Sequence, residues 1–265
     1  MVQYTVLIPL RDGPTGLARQ LSELDELFGT LARPYEIICI DDGSRQAGVD
    51  LLEELLRAHA RIRVLRFDRP RGLSAALSAG MAAARGEIVI ATAPGSQYPV
   101  GQIQTLIARL SRGDLVYGRR KRRGLAQAWR RIARIPRWLL LGLEVRDPDC
   151  LFWAARREAI AELSLTRGMS RYLPTLVASR GFRVSEVAVD DEPAGGAAPY
   201  ERPNPIDLLA AWWLKIRERG CAIRELGVGQ TGGPHWRVAS LAGGPAAAAP
   251  FERPATAVPP NQPRA

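Results

Sequence analysis

The chain has 265 residues, 46% of them hydrophobic, so it is long enough to bury a core without disulfides or a structural metal. Its three cysteines, Cys39, Cys150 and Cys221, lack the spacing of a disulfide framework or a zinc site, and they are typical of a reducing cytoplasm. The net charge of +10 suits an acidic partner, but no nucleic-acid recognition motif accompanies it, so we expect no nucleic acid.

The first half of the chain alternates apolar runs rich in Val and Ile with segments of helical period. The runs predict strands at 4–9, 35–40, 62–67 and 87–92. The segments between them predict helices at 15–28, 49–59 and 73–85. A further helix at 101–112 and a strand at 115–117 follow. This pattern predicts repeated βαβ units and a parallel sheet.

The second half is mixed rather than strictly alternating. A short strand and two helices are predicted within 150–180, and a later strand at 182–189. A Pro/Gly/Ala loop leads to a helix at 206–219. Residues 227–265 are predicted to be a disordered tail, because Gly, Ala and Pro bury too little apolar surface to offset their ordering entropy. We therefore divide the chain into a domain at 1–189, a loop and helix at 190–226, and the tail.

Two basic segments carry tryptophans and suit an anionic membrane surface. Residues 119–137 hold nine Arg and Lys side chains and no acid, with Trp129 inside this segment and Trp138 directly after it, and the helix at 206–219 carries Trp212 and Trp213. The alternative is that these tryptophans belong to the core. We read no signal peptide and no apolar run of spanning length. The expectation is a cytoplasmic protein, with peripheral attachment to the inner face of the membrane as an open option.

Several motifs follow one another in a fixed order. They are Ile8-Pro9, Tyr35 to Ser44 with Asp41-Asp42-Gly43-Ser44 at its end, Gly72 to Gly80, Gly86 to Ile90, Asp114 to Arg120, and Arg146-Asp147-Pro148-Asp149-Cys150. In order and spacing they resemble the family 2 glycosyltransferase domain, and most of all its dolichyl-phosphate and polyprenyl-phosphate branch. The resemblance covers residues 2–189. It implies a Rossmann-like GT-A fold, an inverting nucleotide-sugar mechanism and, often, a lipid-phosphate acceptor.

The resemblance implies a nucleotide site at the end of the second strand. Asp41, Asp42 and Ser44, with Pro9 at the end of the first strand, are the expected contacts to a uracil or guanine nucleotide, because open α/β sheets bind ligands at their carboxyl edge. The alternative is that Asp42-Gly43-Ser44 forms only a tight turn.

The chain departs from the family where charge is needed. The family's Asp-x-Asp pair, which holds a divalent cation on the donor diphosphate, is replaced by Ala93 and Gly95. Neither side chain offers an oxygen to Mg²⁺ or Mn²⁺, so we expect no normal metal site. A basic loop expected after the last strand is also replaced, by the acidic residues Asp190, Asp191 and Glu192.

Other residues could still supply the chemistry. Arg119 and Arg120 follow a predicted strand and can bind a diphosphate in place of a cation, although a solvated basic face is the alternative. Asp147 matches the family's acid and is the candidate general base, with Asp149 as the second candidate, although Asp147 can also serve only as a turn residue before Pro148. We therefore predict a divergent glycosyltransferase, and the alternative is an inactive relative that binds a nucleotide or a partner.

Overall fold

A computed structural model describes residues 1–13, 16–59, 61–95, 97–121, 146–147, 149–165, 168–190, 222–228 and 234–240, the last two ranges by their backbone. The strands are β1 Tyr4–Leu10, β2 Tyr35–Asp41, β3 Ile62–Phe67, β4 Ile88–Thr92, β5 Leu115–Arg120, β6 Phe152–Arg156, β7 Val184–Val189, β8 Ala222–Val228 and β9 Pro234–Ser240. The helices are α1 Leu17–Leu31, α2 Gln46–Ala58, α3 Leu73–Ala83, α4 Gln102–Arg109, α5 Arg157–Ile160, a 3₁₀ helix at Met169–Tyr172, and α6 Leu173–Ser179.

The described strands form one mixed sheet in the order β7-β5-β6-β4-β1-β2-β3-β8-β9. β1 pairs in parallel with β2 and with β4, and β2 pairs in parallel with β3. β6 is antiparallel to both β4 and β5, so β5 runs in the same direction as β4. The predicted α/β architecture with a mixed central sheet is confirmed.

The central strands are buried on both faces, as their continuous apolar runs predict. Every residue of β1 and β2 is buried, and α1 and α3 place apolar side chains such as Leu21, Leu24 and Leu77 in the same core. This burial fixes where the strands end and therefore which residues stand at the carboxyl edge of the sheet.

The region predicted to be a disordered tail differs in part from that expectation. β9 lies within 227–265 and pairs with β8, which in turn pairs with the edge strand β3. Such a hairpin extends a sheet through backbone hydrogen bonds and needs little apolar periodicity, so its sequence signal is weak. The rest of that tail lies outside the described residues.

The membrane-facing expectations fall largely outside the described residues as well. Trp129, the basic run beyond Lys121 and the helix expected at 206–219 belong to those parts of the chain. Within the described part, no helix is long and apolar enough to cross a membrane.

Candidate functional site

The predicted site residues meet at one edge of the sheet. Since β1, β2, β4 and β5 run in the same direction, their carboxyl ends lie together, and β6 begins there because Phe152 pairs with Thr92. The predicted residues at this carboxyl edge are Pro9, Asp41, Asp42, Ser44, Arg119, Arg120 and Asp147. This is the place where open α/β sheets hold their ligands.

Asp41 supports the turn that follows β2. Its Oδ1 accepts a 2.9 Å hydrogen bond from the backbone N–H of Ser44 and another from the Ser44 hydroxyl. Its Oδ2 lies 3.2 Å from Nε of Arg66, although without the alignment of a hydrogen bond. Asp41 has no exposed surface, so its carboxylate holds the shape of the turn and contributes charge beneath it.

Asp42 joins this turn to the loop before α3. Its Oδ1 accepts hydrogen bonds from the backbone N–H groups of Arg71, at 2.6 Å, and Gly72, at 3.2 Å, and its Oδ2 lies 3.1 Å from the Gly72 nitrogen. Gly43, which follows Asp42, has φ of 69°, and a Cβ there would lie 2.7 Å from the backbone of Arg69. The glycine therefore permits the close approach of the two loops.

Burial changes the ionisation of both aspartates. Burial raises the pKa of Asp42 above its ordinary value, although the backbone donors of Arg71 and Gly72 oppose the rise. Burial also raises the pKa of Asp41, against the lowering effect of its hydrogen bonds from Ser44. Two carboxyl groups with raised pKa at the carboxyl edge of the sheet are typical of a functional site.

Arg120 and Asp147 form a buried ion pair. Nε and Nη2 of Arg120 lie 2.6 and 2.7 Å from the two carboxylate oxygens of Asp147, and the Arg120 backbone N–H also points to this carboxylate at 3.3 Å. The two side chains are 9% and 8% exposed. Burial alone lowers the pKa of Arg120, but its hydrogen bonds to Asp147 raise it above the ordinary value. The residue predicted to bind diphosphate therefore holds the residue predicted to act as base.

Arg119 and Lys121, on either side of Arg120, are in more open positions. Arg119 is half-buried, and no ion pair to it is found among the described residues. Nζ of Lys121 lies 3.0 Å from a carboxylate oxygen of Asp190, and both side chains are more than half exposed. Arg119 therefore has no carboxylate partner among the described residues, and it points to the face of β5 opposite to Arg120.

The loop with Ala93 and Gly95, which replace the family's Asp-x-Asp pair, is bound by the side-chain amide of Gln20. Nε2 of the fully buried Gln20 donates a 2.8 Å hydrogen bond to the Ala93 carbonyl, and the Gly95 N–H donates a 3.0 Å hydrogen bond to Oε1 of Gln20. The described residues contain no cluster of three potential metal-binding His, Cys, Asp or Glu side chains. The residues present at this loop therefore do not fit a divalent cation.

Replacing Gln20 with leucine should lower the free energy of unfolding by about 2–4 kcal/mol, because it removes the partner of both the Ala93 carbonyl and the Gly95 N–H. Chemical denaturation measures this change. Gln102→Leu is the matched control, since Gln102 makes the same two-point contact with the backbone of Asp190 in an exposed position. The control should cost less than about 1 kcal/mol. Equal losses in the two variants would contradict the role assigned to Gln20.

Two site residues were not predicted from the sequence. Gln20 is a single buried amide on the apolar face of α1, and Arg66 is one of two arginines in the otherwise apolar strand β3. A polar or charged residue at a position where the pattern requires an apolar one is the signal that could have identified each of them.

Comparisons with known proteins agree on one family. The sequence model described as Glycosyl transferase family 2 matches residues 5–164. The undecaprenyl-phosphate 4-deoxy-4-formamido-L-arabinose transferase of Pseudomonas paraeruginosa is 26% identical over 211 residues, which is 77% of this chain and 62% of the relative. The chain therefore spans less than two thirds of the length of that relative.

Solved structures share the fold. Glucosyl-3-phosphoglycerate synthase from Mycobacterium tuberculosis, in complex with Mn²⁺, UDP-glucose and phosphoglyceric acid, superimposes with a TM-score of 0.53 at 19% identity over 79% of this chain and 75% of that one. Mannosyltransferase PcManGT from Pyrobaculum calidifontis, with GDP-mannose and Mn²⁺, gives 0.54 at 17% identity over 75% and 58%. The GT-A fold expected from the motifs is confirmed.

Proposed function

Because this chain belongs to glycosyl transferase family 2, we propose that it transfers a sugar from a nucleotide-sugar donor to a polyprenyl phosphate at the carboxyl edge of its sheet. The observation that carries the proposal is that the predicted site residues, separated by up to 138 positions from Pro9 to Asp147 in the sequence, stand at that edge. The relative in Pseudomonas paraeruginosa is named for transfer to undecaprenyl phosphate, which supports this acceptor class. That name gives no support to the inactive alternative.

The nucleoside of the donor binds over the turn after β2. Pro9 and Ser44 line the edge there, Asp42 fixes the neighbouring loop and Asp41 supplies a buried negative charge. Carboxylate and hydroxyl oxygens accept the N–H and O–H groups that a base and a ribose present. The turn alternative describes the same hydrogen bonds, and under the proposal the nucleoside binds on the surface of that turn.

The donor diphosphate binds through guanidinium groups in place of a cation. Arg119, which has no carboxylate partner among the described residues, is the proposed contact, whereas Arg120 is bound to Asp147 and reaches a diphosphate only if that pair opens or is shared. An arginine bound to a phosphate oxygen contributes about 1.5–3 kcal/mol, so more than one is needed to match a metal ion. A fixed guanidinium also stabilises the charge that develops on the leaving diphosphate.

The acceptor chemistry sets the role of Asp147. An oxygen of the acceptor phosphate forms a bond to the anomeric carbon of the sugar while the bond from that carbon to the donor diphosphate breaks, and the electron pair leaves with the nucleoside diphosphate. A phosphate acceptor is already anionic and needs no general base. Asp147, whose two oxygens accept hydrogen bonds from Arg120, then serves to position that arginine rather than to remove a proton.

Incubation of the purified chain with a panel of radiolabelled UDP-sugars and GDP-sugars and undecaprenyl phosphate tests the proposal. We expect label to enter the lipid fraction, with the rate in EDTA within about threefold of the rate in Mn²⁺ because the described residues do not fit a cation. Undecaprenol, which lacks the phosphate, is the control acceptor and should remain unlabelled. Transfer to undecaprenol, or no transfer from any donor, would contradict the proposed function.

A further inference from the structure

Arg171 is a buried cation that the donor site does not use. Its side chain is 7% exposed, and among the described residues its one ion pair joins Nη2 to Oδ1 of Asp149 at 3.5 Å. No hydrogen bond to its guanidinium is found within the described part of the chain. None of the Arg171 nitrogens is among the fully buried side-chain atoms that lack a hydrogen-bond partner in the described part of the chain. A guanidinium has five N–H donors, so an anion can supply further acceptors to those that the single ion pair to Asp149 leaves unused.

The counter-ion of Arg171 is replaceable. The Asp149 side chain is 46% exposed, whereas that of Arg171 is almost fully buried, and the 3.5 Å separation exceeds that of a charge-assisted hydrogen bond. The contrast with Arg120 and Asp147 is direct, because that pair is buried on both sides and bonded twice. An incoming anion can therefore displace Asp149 into solvent without leaving a buried carboxylate behind.

The position of Arg171 connects it to the carboxyl edge from two directions. Asp149 stands two residues after Asp147 and three residues before β6, which begins at that edge. Ser170, next to Arg171, donates its backbone N–H to the Ser74 hydroxyl at 3.1 Å, and Ser74 lies in the first turn of α3. The N-cap residue of this helix, Gly72, donates its backbone N–H to the carboxylate of Asp42, so Ser170 and Asp42 contact the same end of α3.

We infer that Arg171 binds the phosphate monoester of the acceptor, and that Asp149 occupies this cation until the acceptor arrives. A phosphate monoester carries about −1.5 to −2 charge near neutral pH and offers three acceptor oxygens, which match the fork of a guanidinium. The inference rests on the proposed function and assigns its acceptor subsite. The same chemistry belongs to a lipid phosphate and to a small soluble phosphate, which the experiment separates.

Calorimetric binding to the full chain tests this assignment without turnover. The probes are undecaprenyl phosphate in detergent micelles, 3-phosphoglycerate, undecaprenol in the same micelles, and UDP and GDP for the donor site. We expect Arg171→Gln to weaken phosphate binding about tenfold or more and to leave nucleotide binding within about twofold. Arg171→Lys should fall between wild type and Arg171→Gln, because lysine keeps the charge and loses the fork.

Two further variants distinguish a specific role of Arg171 from the general effect of removing a positive charge. Asp149→Asn removes the competing carboxylate at an exposed position and should tighten phosphate binding about threefold or more, which is opposite to the effect of Arg171→Gln. Arg157→Gln removes an equal charge from an exposed residue on α5 and should leave phosphate binding within about twofold. Tighter binding of undecaprenyl phosphate than of 3-phosphoglycerate identifies the lipid as the source, and the reverse identifies the soluble phosphate.

Four results would overturn the inference that Arg171 binds the acceptor phosphate. Phosphate binding that Arg171→Gln leaves within twofold, or that Asp149→Asn weakens, overturns the inference. A wild-type chain that binds nucleotide but neither phosphate probe also overturns it, while leaving the donor part of the proposed function standing. Equal binding of undecaprenol and undecaprenyl phosphate would show adsorption to the micelle and would likewise overturn it.

Discussion

Replacing Asp147 with alanine will lower the free energy of unfolding by about 3–5 kcal/mol, because it leaves the guanidinium of Arg120 buried without its carboxylate. The expected loss is large because both partners are less than one tenth exposed and share two short hydrogen bonds. Sugar transfer should fall as well, since Arg120 would no longer be held at the end of β5. Denaturant unfolding gives the first effect and the radiolabel assay the second.

The matched control is the next ion pair along the same edge. Asp190→Ala removes the exposed partner of Lys121 and should cost less than about 1 kcal/mol. The double variant Arg120→Met/Asp147→Leu should be more stable than Asp147→Ala, because it replaces both buried charges together. A double variant as unstable as Asp147→Ala would show that the loss does not come from the unpaired guanidinium.

Replacing Asp42 with alanine will weaken UDP or GDP binding about tenfold or more and destabilise the fold by about 2–4 kcal/mol. Without the carboxylate, the N–H groups of Arg71 and Gly72 lose their acceptor, and the loop before α3 is no longer joined to the turn after β2. Calorimetric titration measures the first effect, and denaturant unfolding measures the second.

Asp68→Ala is the control for Asp42→Ala, since it removes a more exposed carboxylate that pairs with the side chain of the same Arg71 at 3.0 Å. Its effect on stability should stay below about 1 kcal/mol, and its effect on nucleotide binding within about twofold. A control that matches Asp42→Ala in nucleotide binding would assign the effect to Arg71 rather than to Asp42.

The raised pKa of Asp42 also fixes the sign of a pH dependence. A carboxyl group whose folded pKa is raised favours the fold most when protonated, so its contribution to stability is greatest below its unfolded pKa and declines as pH rises through the folded pKa. Nucleotide affinity should change in the opposite direction and weaken as pH falls through that value, because the protonated group is a poorer acceptor. Asp42→Asn should reduce the pH dependence of both stability and nucleotide affinity. A part of the pH dependence of stability should remain, because burial also raises the pKa of Asp41.

The central fold could be predicted because strands that are buried on both faces of a sheet have mostly apolar sequences. Runs such as 88–91 consist of Ile, Val and Ala alone, and the strands β1 to β5 and β7 lie within three residues of their predicted bounds, whereas β8 and β9 were not predicted. The helix expected at 101–112 is shorter, at Gln102–Arg109, because helix ends depend on local backbone hydrogen bonds that composition does not specify.

The partners within the site could not be predicted, because they depend on tertiary contacts. Arg120 and Asp147 were assigned separate roles, and their pairing across 27 residues follows from β5 and β6 lying side by side. Gln20 and Ala93 are 73 residues apart, and α1 brings the amide to the end of β4. Sequence patterns place side chains on faces and at strand ends, whereas pairing between them requires the packed structure.

The most direct test of a metal-independent donor site is calorimetric titration of the full chain with UDP and GDP, in EDTA and again in Mn²⁺. We expect one nucleotide to bind with an affinity that EDTA changes by less than about threefold, because arginine side chains rather than a cation contact the diphosphate. Binding that appears only in Mn²⁺, or no binding of either nucleotide in either buffer, would contradict it.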